Sequence, residues 1–365
     1  MDVLIAHPFA LPEVRRGAER YLEDLAAYLR GRGLDVGVLT TAPGRHANKG
    51  GGVEYRGRWV SNWLTGRGVD PLVAFAPTML WPMWRRHARI VHPLTHGAGL
   101  ASVLTKSAGH AVVATLMGIP YRWFTEQTPS SARAWHLLIE RADELICPST
   151  HVAEVLREEY GRAGVVIPLG VDTSFFRPAA ERARPPTILF AGALEEPRKG
   201  FALLLEAFRR VAGDRDGLRI VATGHGSLEP AHRARGELPA GIRERVRVLH
   251  LGIEELPAAY SEASVTVLPS RNEALGLTLV ESLACGTPVV GSDECGIVDV
   301  IDEPSIGRRF VPDDADDLAR ALLEALDLAA DPATRDRCRR SAGRFDWQTT
   351  VGPAVEAVYA RVAPS

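Results

Sequence analysis

Short apolar runs alternate with helix-length amphipathic segments along nearly the whole chain. The first run is VLIA at 3–6, and a helical pattern at 17–33 follows it. This order is typical of βα units built around parallel sheets. Further strands are predicted at 35–40, near 89–92, at 121–125, 144–147, 165–168, 187–192, 218–224, 246–252, 264–269 and 288–292. Further helices are predicted near 99–117, at 149–161, 201–213, 313–330 and 345–362, and around Glu281.

The chain is long enough for two domains. Its 365 residues exceed what one hydrophobic core usually holds. Residues 170–186, GVDTSFFRPAAERARPP, interrupt the periodicity and predict an interdomain linker. We therefore place one doubly wound α/β domain at 1–170 and a second at 171–349.

Charge and cysteine content exclude several classes of function. Lys and Arg number 43 against 45 Asp and Glu, which does not suit a nucleic-acid binder. The four cysteines form no C-x-x-C pair and no His/Cys metal spacing, which predicts a reduced, cytoplasmic chain without a metal site. MDVLIAHPFA is predicted to be a buried strand rather than a signal peptide. Lys106 and His110 interrupt the longest apolar stretch, 98–120, so no membrane span is expected.

One segment leaves a peripheral membrane contact open. WPMWRRHAR at 81–89 mixes aromatic and basic residues. Such a segment contacts an anionic acceptor or a membrane surface, or it is an amphipathic helix at the edge of the core. Both interpretations stand at this stage, and no oligomeric state is indicated.

Two carboxylates lie in the largely apolar segment 270–292, SRNEALGLTLVESLACGTPVVGS. The pattern predicts a loop that contains Glu273, then a helix that contains Glu281 and stops at Gly286. Ligands of open α/β sheets lie beyond the carboxyl ends of strands, where amides at a following helix N-terminus attract phosphate. Glu281 would lie roughly 9 Å along the helix from its first turn. One carboxylate on each side of a diphosphate suits a nucleotide sugar, although spacing alone equally allows a solvated Glu273 and a Glu281 without a ligand.

NEALGLTLVESLACGTPVVGS resembles the E-x7-E signature of glycosyltransferase family 4, retaining enzymes with the GT-B fold. The resemblance implies that Glu273 contacts the donor sugar and Glu281 the ribose. It implies two Rossmann-like domains that face one another across a cleft, with a helix at about 350–365 packed back on the first. It also implies that the donor is bordered by Ala274, Leu275, Gly276 and Leu277. Four further blocks resemble the family in the same order: RRGAERYLEDLAAYLRGRGLDVGVLT, VVIPLGVDTSFFRP, FAGALEEPRKGFALLLEAF and FDWQTTVGPAVEAVY.

The resemblance implies cationic partners for a diphosphate in GALEEPRKGF at 192–201. Lys199 matches the family's lysine before the glycine. Ala193 stands where the family has an arginine, so one phosphate contact is missing. Arg198 either replaces that contact or is a solvated surface charge. A buried diphosphate needs such partners because unpaired charges in a closed site cost several kcal/mol, on the order of 3–5.

Other candidate residues follow from the same resemblance. ATGHGSLEP resembles the turn beside the nucleotide base, and a tight turn also accounts for Gly224 and Gly226. Gly17 matches a glycine that lets the backbone approach the ligand, while Arg15 and Arg16 before it are ligand contacts or surface charges.

Many relatives have a histidine after the strand predicted at 121–125. Here Glu126 or Gln127 would take over its polar contact with the sugar. His92 and His96 follow another predicted strand, where a histidine either faces the ligand or is a hydrogen-bonded structural residue.

We interpret the chain as a bacterial, retaining, metal-independent hexosyltransferase. Glu273, Lys199 and Glu126 are the predicted catalytic residues, and no cofactor is expected beyond a nucleotide-diphosphate-sugar co-substrate, of UDP or GDP type. The acceptor would be a hydroxyl of a small molecule, a glycan or a lipid-linked precursor. Two alternatives remain: a sugar-nucleotide 2-epimerase of the same fold, and a catalytically silent nucleotide-sugar-binding subunit.

Overall fold

The computed structural model describes residues 1–9, 17–42, 46–49, 53–57, 59–224 and 226–363. The chain divides into two compact units. Unit 1 contains residues 1–170 together with 347–365, and unit 2 contains residues 171–346. Each unit has its own sheet with helices packed against it.

The sheet of unit 1 has the order β3-β4-β2-β1-β5-β6-β7-β8 among the described residues. Its strands pair in parallel except for β3, which is antiparallel to β4. The strands are β1 Val3–Ala6, β2 Val36–Ala42, β3 His46–Lys49, β4 Val53–Gly57, β5 Ile90–Pro93, β6 Ala111–Thr115, β7 Glu144–Cys147 and β8 Val165–Val166. The order reverses at β1, which lies between β2 and β5.

The sheet of unit 2 is parallel throughout and has the order β11-β10-β9-β12-β13-β14. The strands are β9 Thr187–Ala191, β10 Arg219–Thr223, β11 Val246–Leu249, β12 Val265–Leu268, β13 Val289–Ser292 and β14 Gly307–Phe310. In chain order this is the 3-2-1-4-5-6 arrangement of the Rossmann fold, whose ligands lie beyond the carboxyl ends of the strands at the reversal point. Here that point lies between β9 and β12.

Several helices begin at a residue whose side chain caps them. Ser149 accepts a hydrogen bond from the Val152 amide at the start of α7, and Gly161, at φ +64°, ends that helix. Asp314 accepts from the Asp316 and Asp317 amides at the start of α14. The helices are α1 Gly17–Gly31, α2 Trp59–Thr65, α3 Ala76–Arg86, α4 His96–Leu104, α5 Arg122–Thr125, α6 Pro129–Arg141, α7 Thr150–Tyr160, α8 Phe201–Val211, α9 Glu229–Gly236, α10 Ala240–Arg243, α11 Leu256–Glu262, α12 Leu277–Ala284, α13 Ile297–Val300, α14 Ala315–Ala330, α15 Thr334–Ala342 and α16 Gly352–Val362.

Helix α16 belongs to unit 1 although it follows unit 2 in the chain. A buried polar network joins it to the sheet: the His92 ring is hydrogen-bonded through Nδ1 to the Tyr359 hydroxyl at 2.5 Å and through Nε2 to the Thr115 hydroxyl at 2.8 Å. A Cβ at Gly352 would lie 2.2 Å from the Tyr28 ring, so the helix approaches α1 more closely than a side chain permits. Burial lowers the pKa of His92 to about 3.

Two sequence predictions in unit 1 are wrong. The helix predicted near 99–117 ends at Leu104, and strand β6 occupies Ala111–Thr115. The strand predicted at 121–125 is instead the short helix α5, whose Arg122 forms an ion pair with Glu126 one turn later, at 2.9 Å. Ala111–Thr115 is fully buried and is apolar up to its last residue, so its sequence has no alternation that distinguishes a strand from a helix.

The segment predicted to be an interdomain linker is packed against unit 2. Val171 and Phe176 are buried, and Phe176 makes an edge-to-face contact with the Tyr260 ring. Arg182 donates hydrogen bonds to the carbonyls of Ala329 and Gly286 at 2.6 and 3.1 Å. Residues 171–186 are therefore part of unit 2 rather than a free tether.

Candidate functional site

Two loops meet at the reversal point of the second sheet. One follows β9 and contains residues 192–200, and the other follows β12 and contains residues 269–276. The Arg271 amide donates to the Arg198 carbonyl at 2.8 Å. Gly200 has φ +77°, and a Cβ there would lie 2.1 Å from the Pro269 carbonyl oxygen. The two loops thus touch through backbone, and only glycine permits this distance.

Glu273 and two cations lie together where these loops meet. Lys199 Nζ donates to Glu273 Oε1 at 2.5 Å, and Arg198 donates to the same oxygen at 3.2 Å. Arg198 also forms an ion pair with Glu196 at 2.9 Å. Burial raises the pKa of Glu273, but the charges of Lys199 and Arg198 outweigh burial and bring that pKa below its ordinary value. The carboxylate is therefore ionised at neutral pH.

The loop that holds Glu273 is fixed by the loop after β13. Glu294 accepts a hydrogen bond from the Asn272 amide at 2.9 Å and forms an ion pair with Arg271, also at 2.9 Å. The Gly296 amide donates to the Glu273 carbonyl at 3.0 Å. Asn272 has φ +56°, a conformation that asparagine adopts more readily than most residues. Glu294 was not predicted from the sequence to be a site residue, although it lies just beyond the end of a predicted strand, where ligands of such sheets bind.

Helix α12 begins just after this loop. Gly276, at φ +102°, precedes its first residue, Leu277. The side chains of Ala274 and Leu275 are buried, so these residues offer backbone rather than side chains to a ligand. Amides at a helix N-terminus attract anions, so the start of α12 is a candidate phosphate-binding element.

Glu281 lies inside α12, as predicted, but it is almost wholly buried. Its side chain is 3% exposed, and its Oε2 accepts a hydrogen bond from the Tyr260 hydroxyl at 2.7 Å. Tyr260 comes from α11 and had not been singled out from the sequence. The proposed ribose contact of Glu281 stays a prediction.

Gly224 and Gly226 lie beside the loop after β9. A Cβ at Gly224 would lie 1.9 Å from the Gly192 carbonyl oxygen, and one at Gly226, which has φ +84°, would lie 2.2 Å from Glu195 Oε1. Close backbone approach therefore requires glycine at 224, and the positive φ favours glycine at 226. The turn lies next to the loop of Lys199, so a contact with the nucleotide base stays a compatible prediction.

Ala193 offers no charge at the position where the family has an arginine, and its side chain is partly exposed. Arg198 and Lys199 both form ion pairs with Glu273, so a second cation is present although position 193 has no arginine.

In unit 1, His96 has structural partners. Its Nε2 forms a hydrogen bond with Asp70 Oδ1 at 2.9 Å, and its ring stacks on Trp135 with centroids 5.2 Å apart. Asp70 also accepts from the amides of Leu72 and Val73. Burial raises the pKa of Asp70, but the His96 and backbone hydrogen bonds outweigh it and lower that pKa. His96 thereby holds the turn that contains Asp70.

Glu126 forms an ion pair with Arg122 at 2.9 Å and a hydrogen bond with His136 at 3.2 Å, and Gln127 is exposed. Their predicted sugar contact depended on a strand that ends at Thr125, and that premise is wrong. The strand is β6, so the residues that directly follow a strand end here are Leu116 and Met117.

Two further positions belong to the start of unit 1. Gly17 is the first residue of α1, while Arg15 and Arg16 lie outside the described residues. His7, missed in the sequence, directly follows β1 at the reversal point of the first sheet and is buried. Its Nδ1 is hydrogen-bonded to the Phe9 carbonyl at 2.7 Å. Burial lowers the pKa of His7 more than the Phe9 hydrogen bond and the charge of Glu19 raise it.

The described residues include no group of three or more His, Cys, Asp or Glu side chains placed to hold a metal ion. In the part of the chain that the structure describes, no helix combines the length and the apolar character needed to cross a membrane.

Comparison with known proteins assigns both halves of the chain to related families. Residues 15–175 match the family model described as Glycosyltransferase Family 4, and residues 185–327 match the one described as Glycosyl transferases group 1. A D-inositol 3-phosphate glycosyltransferase of Geodermatophilus obscurus is 34% identical over 60% of this chain and 53% of its own length. A phosphatidyl-myo-inositol mannosyltransferase of Mycobacterium tuberculosis is 33% identical over 57% of each chain. The chain thus spans a little over half the length of these curated relatives.

Solved structures share the fold over almost the whole chain. Sucrose-phosphate synthase from Thermosynechococcus elongatus has a TM-score of 0.82 at 19% identity, with 99% of this chain and 98% of that one covered. Anabaena HepE in complex with UDP and glucose has a TM-score of 0.74 at 18% identity, with 99% and 100% covered. The predicted fold is confirmed. With its two matched halves and its E-x7-E segment, the chain belongs to glycosyltransferase family 4 and has the GT-B fold.

Proposed function

We propose that this chain transfers a hexosyl-type sugar from a nucleotide diphosphate sugar to a hydroxyl acceptor. The observation that carries the proposal is the cluster of Glu273, Lys199 and Arg198 at the reversal point of the second sheet. An ionised carboxylate accepts hydrogen bonds from sugar hydroxyls, and the two cations match a diphosphate. Family membership supports the same activity.

In this proposal the diphosphate lies between the cations and the start of α12. Each ammonium has three N–H donors, so Lys199 keeps donors for phosphate while it contacts Glu273. Glu273 binds the hexose, and Glu281 binds the ribose diol from the buried side of α12. The turn at Gly224 and Gly226 borders the base, which is uracil or guanine.

The proposed reaction retains the anomeric configuration and needs no metal ion. The bond between the sugar C1 and the β-phosphate oxygen breaks, and its electron pair leaves with the phosphate. The acceptor oxygen forms the new bond to C1 on the same face, and its proton passes to the departing phosphate. Lys199 and Arg198 support this reaction, because preorganised cations stabilise the negative charge that develops on the leaving diphosphate.

The acceptor is proposed as a hydroxyl of a small molecule, a glycan or a lipid-linked precursor. Two relatives carry inositol in their names, which favours a polyol acceptor. The described cysteines are free and three of them are buried, which fits the proposed cytoplasmic location.

A two-stage experiment tests this function. Thermal unfolding is first measured with UDP, GDP and their sugars, where a ligand at about 100 times its dissociation constant adds about 2.7 kcal/mol of stability. The stabilising donor is then incubated with and without polyol and glycan acceptors, and the products are identified by mass spectrometry and NMR. Transfer to an acceptor with α-to-α or β-to-β stereochemistry is expected. Epimerised donor without acceptor indicates the epimerase, and binding without turnover indicates a silent binding subunit.

A further inference from the structure

Helix α3 in unit 1 exposes two tryptophans on the face that points away from the core. The Trp81 and Trp84 side chains are 57% and 50% exposed, and their rings stack with centroids 5.8 Å apart. The opposite face already packs inward through the buried side chains of Met79 and Met83. The tryptophans are therefore not needed to anchor the helix, and they form a continuous apolar patch on the surface.

The sequence around this patch is strongly basic. Residues 59–89 contain four of the seven tryptophans of the chain, four arginines and a single acidic residue, Asp70. The Asp70 side chain forms a hydrogen bond with His96. The local charge is thus positive although the whole chain carries a formal net charge of −2.

The two arginines that end α3 have different surroundings. Arg86 forms an ion pair with the largely buried Glu54 at 2.5 Å, so its charge is compensated. Arg85 is exposed and has no hydrogen bond or ion pair with any residue that the structure describes. It follows Trp84 directly and lies one helical turn after Trp81, so the uncompensated charge borders the aromatic pair.

A second aromatic and basic pair lies at the end of α2, which packs against α3: Trp63 is on the helix, and Arg67 lies two residues after its last residue. Trp63 is 55% exposed, and the Arg67 guanidinium lies 3.8 Å from the centroid of its ring. Aromatic rings beside arginines thus recur on adjacent helices.

We propose that the exposed face of α3, defined by Trp81, Trp84 and Arg85, docks on the surface of an anionic lipid bilayer. Tryptophan has an apolar ring system and a polar N–H, and it is enriched at membrane–water boundaries for that reason. An uncompensated arginine beside it is attracted to anionic headgroups, at about 1 kcal/mol per basic residue. A single short helix face gives peripheral and reversible binding.

A second exposed aromatic group in unit 1 has a different charge environment. Trp123 and Phe124 on α5 are exposed. The charge of the neighbouring Arg122 is compensated by Glu126, and its guanidinium also donates a hydrogen bond to the Glu159 carbonyl. This group offers apolar surface without a free positive charge. It therefore supplies a matched control for the α3 face.

Cosedimentation of the full chain with vesicles tests the proposal. Vesicles of phosphatidylcholine alone are compared with vesicles that also contain about 30 mol% phosphatidylglycerol. The wild type should partition on the anionic vesicles, and added salt should weaken this binding. The Trp81→Ala/Trp84→Ala double variant should lose about 10-fold or more in partitioning. Arg85→Ala should lose about fivefold on anionic vesicles and change little on neutral ones.

Controls separate docking from misfolding and from self-association. Trp123→Ala should bind vesicles like the wild type, and Trp81→Phe/Trp84→Phe should retain most of the binding. Thermal unfolding and nucleotide binding should be unchanged in every variant, because α3 lies outside the proposed donor site. Equal partitioning of the wild type and the Trp81→Ala/Trp84→Ala variant overturns the proposal. So does a wild type that binds no vesicles but forms a dimer that this variant abolishes, since the face is then a contact between two copies.

Discussion

Lys199 and Glu273 are 74 residues apart in the chain, yet Lys199 Nζ lies 2.5 Å from Glu273 Oε1. They meet because β9 and β12 are neighbours at the reversal point of the second sheet. Without a ligand, each compensates the charge of the other. In the proposed complex, the diphosphate would also accept hydrogen bonds from the Lys199 ammonium, and Glu273 would accept hydrogen bonds from the sugar hydroxyls.

Glu273→Gln should separate the two parts of the donor. We expect the variant to bind free nucleotide diphosphate within about threefold of wild type. This ligand lacks the sugar that Glu273 is proposed to contact, and Lys199 no longer pairs with a carboxylate at position 273. Transfer should fall on the order of 10–100-fold through loss of charged hydrogen bonds. Calorimetric titration with nucleotide diphosphate and with intact donor measures both effects. Glu196→Gln is the control, because it changes a partner of Arg198 and leaves Glu273 intact. Equal losses of affinity for both ligands in Glu273→Gln would contradict the sugar contact.

Lys199→Ala should reduce turnover more than donor affinity. In the proposed reaction its ammonium stabilises charge that develops on the leaving phosphate, and loss of one such group typically lowers kcat by about 100–1,000-fold. Steady-state kinetics with varied donor provide the measurement. Lys106→Ala, which removes a lysine paired with Asp143 in unit 1, should leave both constants unchanged. A rise in KM at constant kcat argues against this role.

Glu281→Ala should weaken both nucleotide diphosphate and intact donor, by about 1.5–3 kcal/mol for a charged hydrogen bond to the ribose. Tyr260→Phe separates ligand binding from packing, because it removes the 2.7 Å hydrogen bond and keeps the carboxylate. That variant should lower the free energy of unfolding by about 1 kcal/mol and affect nucleotide binding less than Glu281→Ala does. Unchanged nucleotide affinity in a folded Glu281→Ala protein refutes the ribose assignment.

Glu294 should act as a positioning residue for the loop that holds Glu273. Glu294→Ala removes the acceptor of the Asn272 amide, so we expect donor KM to rise by about 10-fold as the loop loses its preorganisation. Glu294→Gln keeps an acceptor oxygen for that amide and should recover part of the loss. A purely structural role predicts a lower melting temperature with unchanged KM, and that result would exclude positioning.

The neutral His92 should make folding sensitive to acid. Its pKa is about 3 in the folded protein and about 6.5 in the unfolded chain, so between these values only the unfolded chain takes up the proton. Its contribution to stability is complete above about pH 6.5 and falls as pH decreases towards 3, by at most about 1.4 kcal/mol per pH unit.

Denaturant unfolding at about pH 7.5 and 5 tests this linkage. The stability advantage of wild type over His92→Gln should shrink by about 2 kcal/mol at the lower pH. A constant difference for His92→Gln would show that the His92 site does not exclude protons.

Periodicity predicted most of unit 2 because its strands and helices differ clearly in length and pattern. The helix around Glu281 and the strand before Glu273 were placed within a few residues, and family and fold are confirmed. The prediction at 99–117 failed because the buried strand β6 and a buried helix have similar composition. Lys199 and Glu273 were each identified, but their direct contact depends on strand order, which no local pattern contains. Tyr260 was missed for the same reason, whereas the place of Glu294 just beyond a strand end was a local signal.

The interruption of unit 1 by unit 2 has a consequence during synthesis. Tyr359 is translated 267 residues after His92, and after all of residues 171–346. At about 5–20 residues per second, His92 waits on the order of 10–50 s for its hydroxyl partner. Unit 2 is one continuous segment, and all of its residues are synthesised during that interval. The unit whose first strand is made earliest is therefore finished last.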